Sequence, residues 1–299
     1  MTTAHEWFDG ARPRTLPAAV APVLVGTAVG MLERNGTLNV GRAVLALIVA
    51  LALQVGVNYS NDYSDGIRGT DAARVGPVRL VGQGLASPHA VKRAAFLCFG
   101  IAALAGLALV VLTGVWWLIL VGAAAIAAAW LYTGGPSPYG YAGLGEVFVF
   151  LFFGVVATMG SAFVQTNTLT IIAFVASIGL GALSCAILVA NNLRDIPGDT
   201  QSGKRTLAVR IGDASTRRLY VAMIVIAYLA VVVLALLATA WALLALLTIP
   251  LALAPVRIVR SGALARDLIA VLVATGRLLL VYGIVLTVAL VIASLTRHA

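Results

Sequence analysis

The amino-acid sequence predicts an all-α polytopic membrane protein, with nine transmembrane helices around a central cavity and a cytoplasmic N-terminus. Of its 299 residues, 61% are hydrophobic and only 10% are charged, whereas about a quarter of the residues in a soluble domain are charged. The apolar residues form long runs that are separated by short polar connections. The basic residues fall almost entirely at one side of these runs, as in proteins that span a membrane.

Nine apolar segments approach the roughly 20 residues that a helix needs to cross the hydrocarbon core of a bilayer. They fall at about 15–32, 41–60, 92–113, 115–133, 144–165, 168–190, 215–237, 239–256 and 277–296. Some connections, such as Thr113-Gly114, are so short that the helices they join must be antiparallel neighbours. No connection is long enough for a separate soluble domain, so we expect residues 1–299 to form a single domain.

The positions of the lysines and arginines predict the orientation. If the N-terminus is cytoplasmic, all of the 20 basic residues except Arg34, Arg42 and Arg297 lie on the cytoplasmic side. Short cytoplasmic loops are enriched in Lys and Arg, so this bias supports both the count of nine spans and the orientation. The net charge of +9 therefore reflects membrane topology rather than binding to nucleic acid.

Five of the 11 acidic residues lie in two clusters, each at the cytoplasmic end of an even-numbered span. The first cluster contains Asn58, Asn61, Asp62, Asp65 and Asp71, and the second contains Asn191, Asn192, Arg194, Asp195 and Asp199. Ionised groups near a bilayer are costly and tend to mark function. The spacing within each cluster places its aspartates on one helical face if the helix continues that far. We expect Pro197-Gly198 to loosen the end of the second helix.

Both clusters contain an Asn four residues before an Asp, namely Asn58 before Asp62 and Asn191 before Asp195. Residues four apart share a helical face. This weak internal repeat predicts two related halves, roughly 10–135 and 140–299, each of which offers an Asn/Asp face to the shared cavity.

The two clusters predict binding of Mg²⁺ together with a diphosphate. Carboxylate oxygens suit Mg²⁺, which is usually held by one or two carboxylates plus substrate phosphates, so two clusters around a diphosphate predict two or more ions. Nearby basic residues are suited to phosphate oxygens; these are Arg68, Arg74, Arg79, Arg194, Lys204 and Arg205. Such cations stabilise a diphosphate leaving group. An apolar cavity suits an isoprenoid tail, and aromatic faces such as those of Tyr132 and Phe152 suit an allylic cation.

On these residues, the chain resembles the UbiA superfamily of intramembrane aromatic prenyltransferases. The family's two Asp-rich motifs match Asn61-Asp62-Tyr63-Ser64-Asp65 and Asp195-Ile196-Pro197-Gly198-Asp199, and the second continues as Gly203-Lys204-Arg205. Three further stretches resemble the menaquinone branch of the family, which prenylates 1,4-dihydroxy-2-naphthoate. They are Ala11 to Pro17, Asp65 to Leu80, and Tyr132 to Gly154.

The resemblance implies site residues in three groups. Catalytic roles fall to Asp62, Asp65, Asp195, Asp199 and Lys204, and metal ligation falls to Asp62, Asp65, Asp71, Asp195 and Asp199. Substrate contacts are expected from Asn58, Asn61, Arg68, Arg79, Asn191, Asn192, Arg194, Arg205, Tyr132, Tyr139, Tyr141 and Arg14. For Arg14 and Arg12, the sequence leaves open whether they set topology or contact an acidic substrate.

The implied reaction is a Mg²⁺-dependent transfer of a polyprenyl group from polyprenyl diphosphate to 1,4-dihydroxy-2-naphthoate with decarboxylation. Its product is demethylmenaquinol, in menaquinone biosynthesis. The resemblance also implies a multi-pass enzyme in a bacterial cell membrane, surrounded by lipid, with its active site towards the cytoplasm. The ubiquinone branch has a third acid four residues after the position of Asp65, where this sequence has Gly69. The next acid here is Asp71, two residues further on, so its role as a metal ligand is less directly implied.

Three alternatives remain open from the sequence. Another aromatic acceptor such as hydroxybenzoate is disfavoured because the connection after the fourth span lacks Lys and Arg. A CDP-alcohol phosphotransferase is disfavoured because its acidic motif is contiguous, whereas these two clusters lie more than a hundred residues apart. A cation-coupled transporter would place its acids near the membrane midplane rather than at the cytoplasmic helix ends.

Overall fold

The computed structural model describes residues 2–69 and 78–296, and all regular secondary structure within them is helical. A short helix, α1 (Ala4–Gly10), and a 3₁₀ turn, Pro13–Thr15, precede nine longer helical segments. These are α2 (Pro17–Glu33), α3 (Val40–Ile67), α4 (Pro88–Thr113), α5 (Leu118–Leu131), α6 (Gly145–Thr166), α7 (Ile171–Gln201), α8 (Asp213–Leu237), α9 (Ala240–Arg260) and α10 (Asp267–Thr296).

Each predicted span coincides with one of the segments α2 to α10, which confirms an all-α, multi-pass architecture. In the described part of the chain, seven of these helices are long and apolar enough to cross a membrane: α3, α4 and α6 to α10. Segment α2 passes this test only together with the preceding helical turns, from which it is bent by 52°. Segment α5 is apolar but has only 14 residues, which is too short to pass. The count of nine spans and the side of the N-terminus therefore stay predictions.

Among the helices that extend further than expected, α3 and α7 carry the acidic clusters in their extensions. Helix α3 continues to Ile67, so that Asp62 and Asp65 lie within it. Helix α7 continues through Pro197 to Gln201, so the expectation that Pro197-Gly198 loosens this helix end was wrong. A proline removes only one backbone donor, and the end of α7 is held by the Lys204 amide, which donates to the Asp199 carbonyl oxygen at 2.8 Å.

The main apolar core lies where α2, α7, α8, α9 and α10 meet. Two fully buried tyrosines anchor it through their hydroxyl groups. The Tyr282 hydroxyl donates to the Ala227 carbonyl oxygen at 3.0 Å, and the Tyr220 hydroxyl lies 2.7 Å from Thr275 Oγ1. These bonds satisfy the polar ends of large apolar side chains inside the bundle.

Glycines let several helices of this core approach closely, as is common between membrane helices. A Cβ atom built on Gly26 of α2 would lie 2.1 Å from the Thr158 carbonyl oxygen of α6. A Cβ on Gly154 of α6 would lie 2.6 Å from the Cα of Gly181 on α7. No larger residue fits at either crossing without moving the helices apart.

Helix α6 changes its geometry midway. It begins as an α-helix over Gly145–Val149, becomes a π-helix over Phe150–Val156 and returns to an α-helix over Ala157–Thr166. π-Helical turns are rare and frequently occur at functional sites. Here the π-helical segment faces both the Gly181 crossing and the central cavity.

Helices α3, α4 and α5 stand on the other side of the molecule. A second apolar cluster, formed by Tyr59, Leu80, Val91, Ala95 and Phe99, ties the end of α3 to the start of α4. The Trp130 ring of α5 stacks on Tyr63 of α3, with ring centroids 6.0 Å apart. The central cavity lies between this group of helices and the main core.

The glycine crossings predict a contrast between two glycines. We expect Gly26→Leu to lower the free energy of unfolding by about 2 kcal/mol, because the new side chain overpacks the contact with α6. Gly100→Leu is the matched control, since Gly100 is exposed on α4 and a Cβ there meets no atom within 4 Å. Thermal denaturation in detergent checks both, and equal melting temperatures for the two variants would contradict the described crossing.

Candidate active site

A cavity of about 1030 Å³ opens between the helices and is lined by residues from α2 to α7 and α10. Its polar end is formed by Asn58, Asn61, Asp65, Arg79, Asn191, Asn192, Arg194, Asp199 and Lys204. Most of the remaining wall is apolar, although Asp9, Arg12, Arg14 and Gln54 also line the cavity. The two sequence clusters, which lie more than a hundred residues apart in the chain, therefore meet at one end of one cavity.

Asp65 joins three segments of the chain at this polar end. Its Oδ1 atom lies 3.1 Å from the Lys204 Nζ atom and also accepts a hydrogen bond from the Tyr141 hydroxyl. Asp65 and Lys204 are both buried. Because a buried charge is costly without a partner, the Lys204 ammonium group and the Asp65 carboxylate stabilise each other here.

Tyr141 lies between the charged groups of the polar end. The Lys204 Nζ atom is 4.5 Å from the centre of the Tyr141 ring, and the Arg68 guanidinium carbon is 5.6 Å from it. Burial, and then the charge of Asp65, raise the pKa of the Tyr141 hydroxyl above its usual value. The hydroxyl group therefore stays protonated and can donate a hydrogen bond across the neutral pH range.

The second cluster lies at the end of α7. Asp199 lines the cavity, and its Oδ2 atom is 3.5 Å from the Thr206 hydroxyl. Asp195 is also buried, but its two oxygens accept bonds from Arg194 Nε at 2.7 Å and Arg194 Nη2 at 2.9 Å. Arg194 additionally donates to Asn191 Oδ1 at 2.9 Å. Arg194 and Asn191 line the cavity, whereas Asp195 lies behind them and holds the Arg194 guanidinium group in place.

Asp62 is not brought to the cavity, in contrast to the expectation that it binds metal. Its side chain is fully buried, Oδ2 accepts from the Leu80 amide at 2.7 Å, and Oδ1 accepts from the Val81 amide at 3.2 Å. Asp62 therefore holds the chain that returns over the end of α3. It fixes the position of Arg79, which lies next to these amides and does line the cavity.

The other predicted residues divide in the same way. Asn58 donates to the Ala11 carbonyl oxygen at 2.8 Å, and Asn61 accepts from the Thr133 hydroxyl group at 2.8 Å. Asn58, Asn61 and the exposed Arg14 all line the cavity. Arg68 instead donates to the carbonyl oxygens of Thr133 and Gly135. Arg205 is exposed and lies outside the cavity wall, and Asp71 lies outside the described residues.

An aromatic wall adjoins the polar end. The Tyr139 ring stacks on the Phe148 ring with centroids 4.0 Å apart, and the Tyr132 ring meets Tyr139 edge-on at 5.4 Å. The Tyr139 hydroxyl donates to the Ala128 carbonyl oxygen at 2.8 Å, and burial raises its pKa. These rings and Phe152 line the cavity beside its polar end.

Sequence reasoning assigned no role to Glu146, a buried acid near the start of α6. Its Oε1 atom accepts a hydrogen bond from the Asn192 Nδ2 atom at 2.9 Å. The bond uses the side-chain nitrogen of Asn192. The side-chain oxygen of Asn192 does not take part in this bond, and the residue lines the cavity. The signal was present in the sequence, since an acid inside an apolar segment is unusual, but its partner lies 46 residues further along the chain.

The donor set of the polar end fits Mg²⁺ bound together with phosphate. Asp65 and Asp199 supply carboxylates, and Asn61 and Asn191 supply amide oxygens, all of them in the cavity wall. Within residues 2–69 and 78–296, no group of three or more acidic, His or Cys side chains is close enough together to hold a metal ion. Mg²⁺ is usually held by one or two carboxylates together with water and substrate phosphates.

Comparison with known proteins agrees with this geometry. The sequence matches the UbiA prenyltransferase family over residues 19–279. The chain belongs to this family. It is 51% identical over 296 residues to the 1,4-dihydroxy-2-naphthoate octaprenyltransferase of Mycobacterium tuberculosis, a match that covers 99% of this chain and 100% of that one. The enzyme of the same name from Mycobacterium leprae is also 51% identical, over 293 residues and 98% of both chains.

The fold of this UbiA family member is also found in a solved structure. A UbiA homologue from Archaeoglobus fulgidus bound to DMAPP and Mg²⁺ superimposes with a TM-score of 0.64. The match covers 95% of this chain and 99% of that one at 16% sequence identity, which shows a shared fold. The resemblance to the menaquinone branch of the UbiA superfamily is confirmed by the relatives, whereas the roles of individual residues stay predictions.

The position of Asp62 predicts an effect on the chain segment that it holds. We expect Asp62→Ala to lower the local opening free energy at Leu80 and Val81 by about 2 kcal/mol, because two backbone hydrogen bonds are lost. Hydrogen exchange followed by mass spectrometry measures this in the peptide that contains both residues. Asp213→Ala, at an exposed carboxylate on α8, is the control, and unchanged exchange in the Asp62 variant would contradict the described bonds.

Proposed function

We propose that this protein transfers a polyprenyl group from polyprenyl diphosphate to 1,4-dihydroxy-2-naphthoate, with loss of the carboxyl group, and so forms demethylmenaquinol for menaquinone biosynthesis. One observation carries the proposal. The carboxylates Asp65 and Asp199 and the cations Arg79, Arg194 and Lys204 meet at the polar end of one apolar cavity. This arrangement occurs in a chain that is half identical, over its length, to named naphthoate octaprenyltransferases.

We further propose the membrane arrangement that the charge distribution indicates. Segments α2 to α10 form nine spans, and the N-terminus and the polar end of the cavity face the cytoplasm of a bacterial cell. The halves 10–135 and 140–299 each supply one Asn/Asp face, which is supported by the equivalent positions of Asp65 near the end of α3 and Asp199 near the end of α7.

In this proposal, Mg²⁺ is held by Asp65 and Asp199, with Asn61 and Asn191 as neighbouring oxygen donors, and two or more ions bind with the diphosphate. Bound Mg²⁺ offsets the negative charge of the diphosphate and of the carboxylates. Asp62 is left out because its oxygens are bonded to the amides of Leu80 and Val81. Asp195 contributes indirectly, since it orients Arg194.

The basic residues bind the diphosphate and stabilise it as a leaving group. Arg79, Arg194 and Lys204 line the polar end and are buried, so their charges are little weakened by water. As the bond between C1 of the prenyl group and oxygen lengthens, the electron pair stays with the diphosphate. Cations that are already in place lower the barrier to this charge separation.

The aromatic wall binds the acceptor next to C1 of the prenyl group. Tyr132, Tyr139 and Phe148 line the cavity and supply aromatic side chains that suit contact with a naphthalene, and the Asn192 side-chain oxygen can accept a bond from a ring hydroxyl group. The ring carbon that bears the carboxylate forms the new bond to C1. The carboxylate then leaves as CO₂, and the electron pair of the broken carbon–carbon bond restores the aromatic ring.

A transfer assay with the purified protein tests the proposal. We expect geranylgeranyl diphosphate, 1,4-dihydroxy-2-naphthoate and Mg²⁺ to give a prenylated, decarboxylated naphthoquinol, identified by mass, and we expect EDTA to abolish the product. A product with hydroxybenzoate but none with naphthoate would overturn the acceptor. Transport of a substrate without chemical change, or dependence on a cytidine nucleotide, would overturn the reaction class.

The proposed metal site predicts the effect of one isosteric change. Asp199→Asn is expected to lower kcat/KM by about a hundredfold or more, because a metal-binding charge is lost while the amide oxygen still accepts from Thr206. It is also expected to raise the Mg²⁺ concentration for half-maximal rate. Asp213→Asn, at an exposed carboxylate far from the cavity wall, serves as the control. Equal rates in the two variants would remove Asp199 from the site.

A further inference from the structure

We infer that two glycines, Gly106 on α4 and Gly122 on α5, determine the length of the prenyl chain that this enzyme accepts. The inference rests on the proposed function, because it concerns the tail of the same diphosphate donor. It names two residues, one on each of two neighbouring helices, that keep the apolar part of the cavity open far below the diphosphate site.

The cavity follows one face of α3 along most of that helix. Lining residues run from Asp65 and Asn61 at the polar end to Ala50 and Ala46 at the apolar end. Asp65 and Ala46 are 19 positions apart, which corresponds to about 29 Å at the rise of an α-helix. This length is close to the roughly 30 Å thickness of the hydrocarbon core. A long isoprenoid chain therefore has an apolar surface along which it can extend from the diphosphate site.

Helices α4 and α5 supply the facing wall, in which small residues alternate with large apolar ones. Ala102, Ala103 and Gly106 line the cavity from α4, and Gly122, Ala123 and Ala125 line it from α5. Small side chains on neighbouring membrane helices usually serve close helix packing. Here they border an open space instead, so their small size preserves the width of the cavity.

Gly106 and Gly122 differ from the glycines that pack helices together. A Cβ atom built on either one meets no other atom within 4 Å, in contrast to the clash at Gly26. Neither is among the described glycines with a positive φ angle, so the backbone does not require glycine there. Glycine is disfavoured inside a helix. At these two positions, the space next to the glycine belongs to the cavity.

Contacts between helices indicate the depth of each glycine. A Cβ on Gly56 would touch Phe99, which places Gly106, seven residues after Phe99, about 24 Å below the level of Asp65. The Trp130 ring of α5 packs against the Phe96 ring of α4, with centroids 4.9 Å apart. Gly122 lies eight residues before Trp130 and Gly106 lies ten residues after Phe96, so the two glycines differ in level by only about 3 Å. Both glycines therefore border the far half of the proposed tail site.

The experiment introduces a large side chain at each of the two glycines. Gly122→Phe and Gly106→Phe are compared with wild type and with Gly100→Phe, which adds the same ring on α4 at an exposed position outside the cavity wall. Each purified protein receives Mg²⁺, 1,4-dihydroxy-2-naphthoate, and geranyl, geranylgeranyl or octaprenyl diphosphate. The measured quantity is kcat/KM for each donor, with the product identified by mass.

We expect Gly122→Phe to lower kcat/KM for the longer donors by about tenfold or more, while geranyl diphosphate is used within about twofold of the wild-type rate. Gly106→Phe is expected to discriminate against the longer donors in the same way, because it lies at nearly the same level. Gly100→Phe is expected to keep the wild-type preference. Melting temperatures in detergent confirm that each variant is folded, and Gly122→Ala and Gly106→Ala replace any phenylalanine variant that is not, with the same effect at smaller size.

The outcomes separate this inference from the proposed function. If wild type transfers no prenyl group from any donor to the naphthoate, the proposed function fails. If wild type is active and the folded glycine variants keep its chain-length preference, the inference alone is overturned. An equal loss for all three donors in a folded variant would also overturn it, because a block below the diphosphate site must affect long chains more than short ones.

Discussion

The buried ion pair between Asp65 and Lys204 holds the polar end of the cavity together. Asp65 belongs to α3, Lys204 follows α7, and Tyr141, which donates to the same carboxylate oxygen, follows α5. A buried charge that loses its partner is strongly destabilising, so these three segments are held in one arrangement. The side chains that line the polar end are carried by the same segments, and their relative positions follow from this contact.

The rest of the molecule is divided between a closely packed side and an open side. In the core around α2, α7 and α10, residues such as Gly26 and Gly181 bring helices within backbone contact. Around α3, α4 and α5, residues of similar size border empty space. The same residue types therefore serve close helix packing on one side of the molecule and border the cavity on the other.

Much of this arrangement could be predicted from the sequence. Apolar length located all nine helical segments, and the two acidic clusters were expected around one cavity, whose wall contains Asp65 and Asp199. Spacing on a helix could not show that residues 80 and 81 return to bond with Asp62, because that contact depends on where a connection folds back. Lys204 and Arg205 are adjacent in a non-helical stretch, where no periodicity indicates which side chain turns inward. Likewise, the tie between Glu146 and Asn192 depends on how α6 packs against α7.

The π-helical segment Phe150–Val156 changes the direction in which side chains of the second half of α6 point, relative to those of the first half. In an α-helix, each residue turns the chain by about 100°, so one residue more or less in this segment would rotate everything beyond it by that angle. Glu146 and Phe148 lie before the segment, whereas Thr158 and Ser161, which face Gly26, lie after it. The wider turn thus lets one helix satisfy two demands that a uniform helix could not meet together. One half is oriented for the ligand, and the other half is oriented for its neighbour.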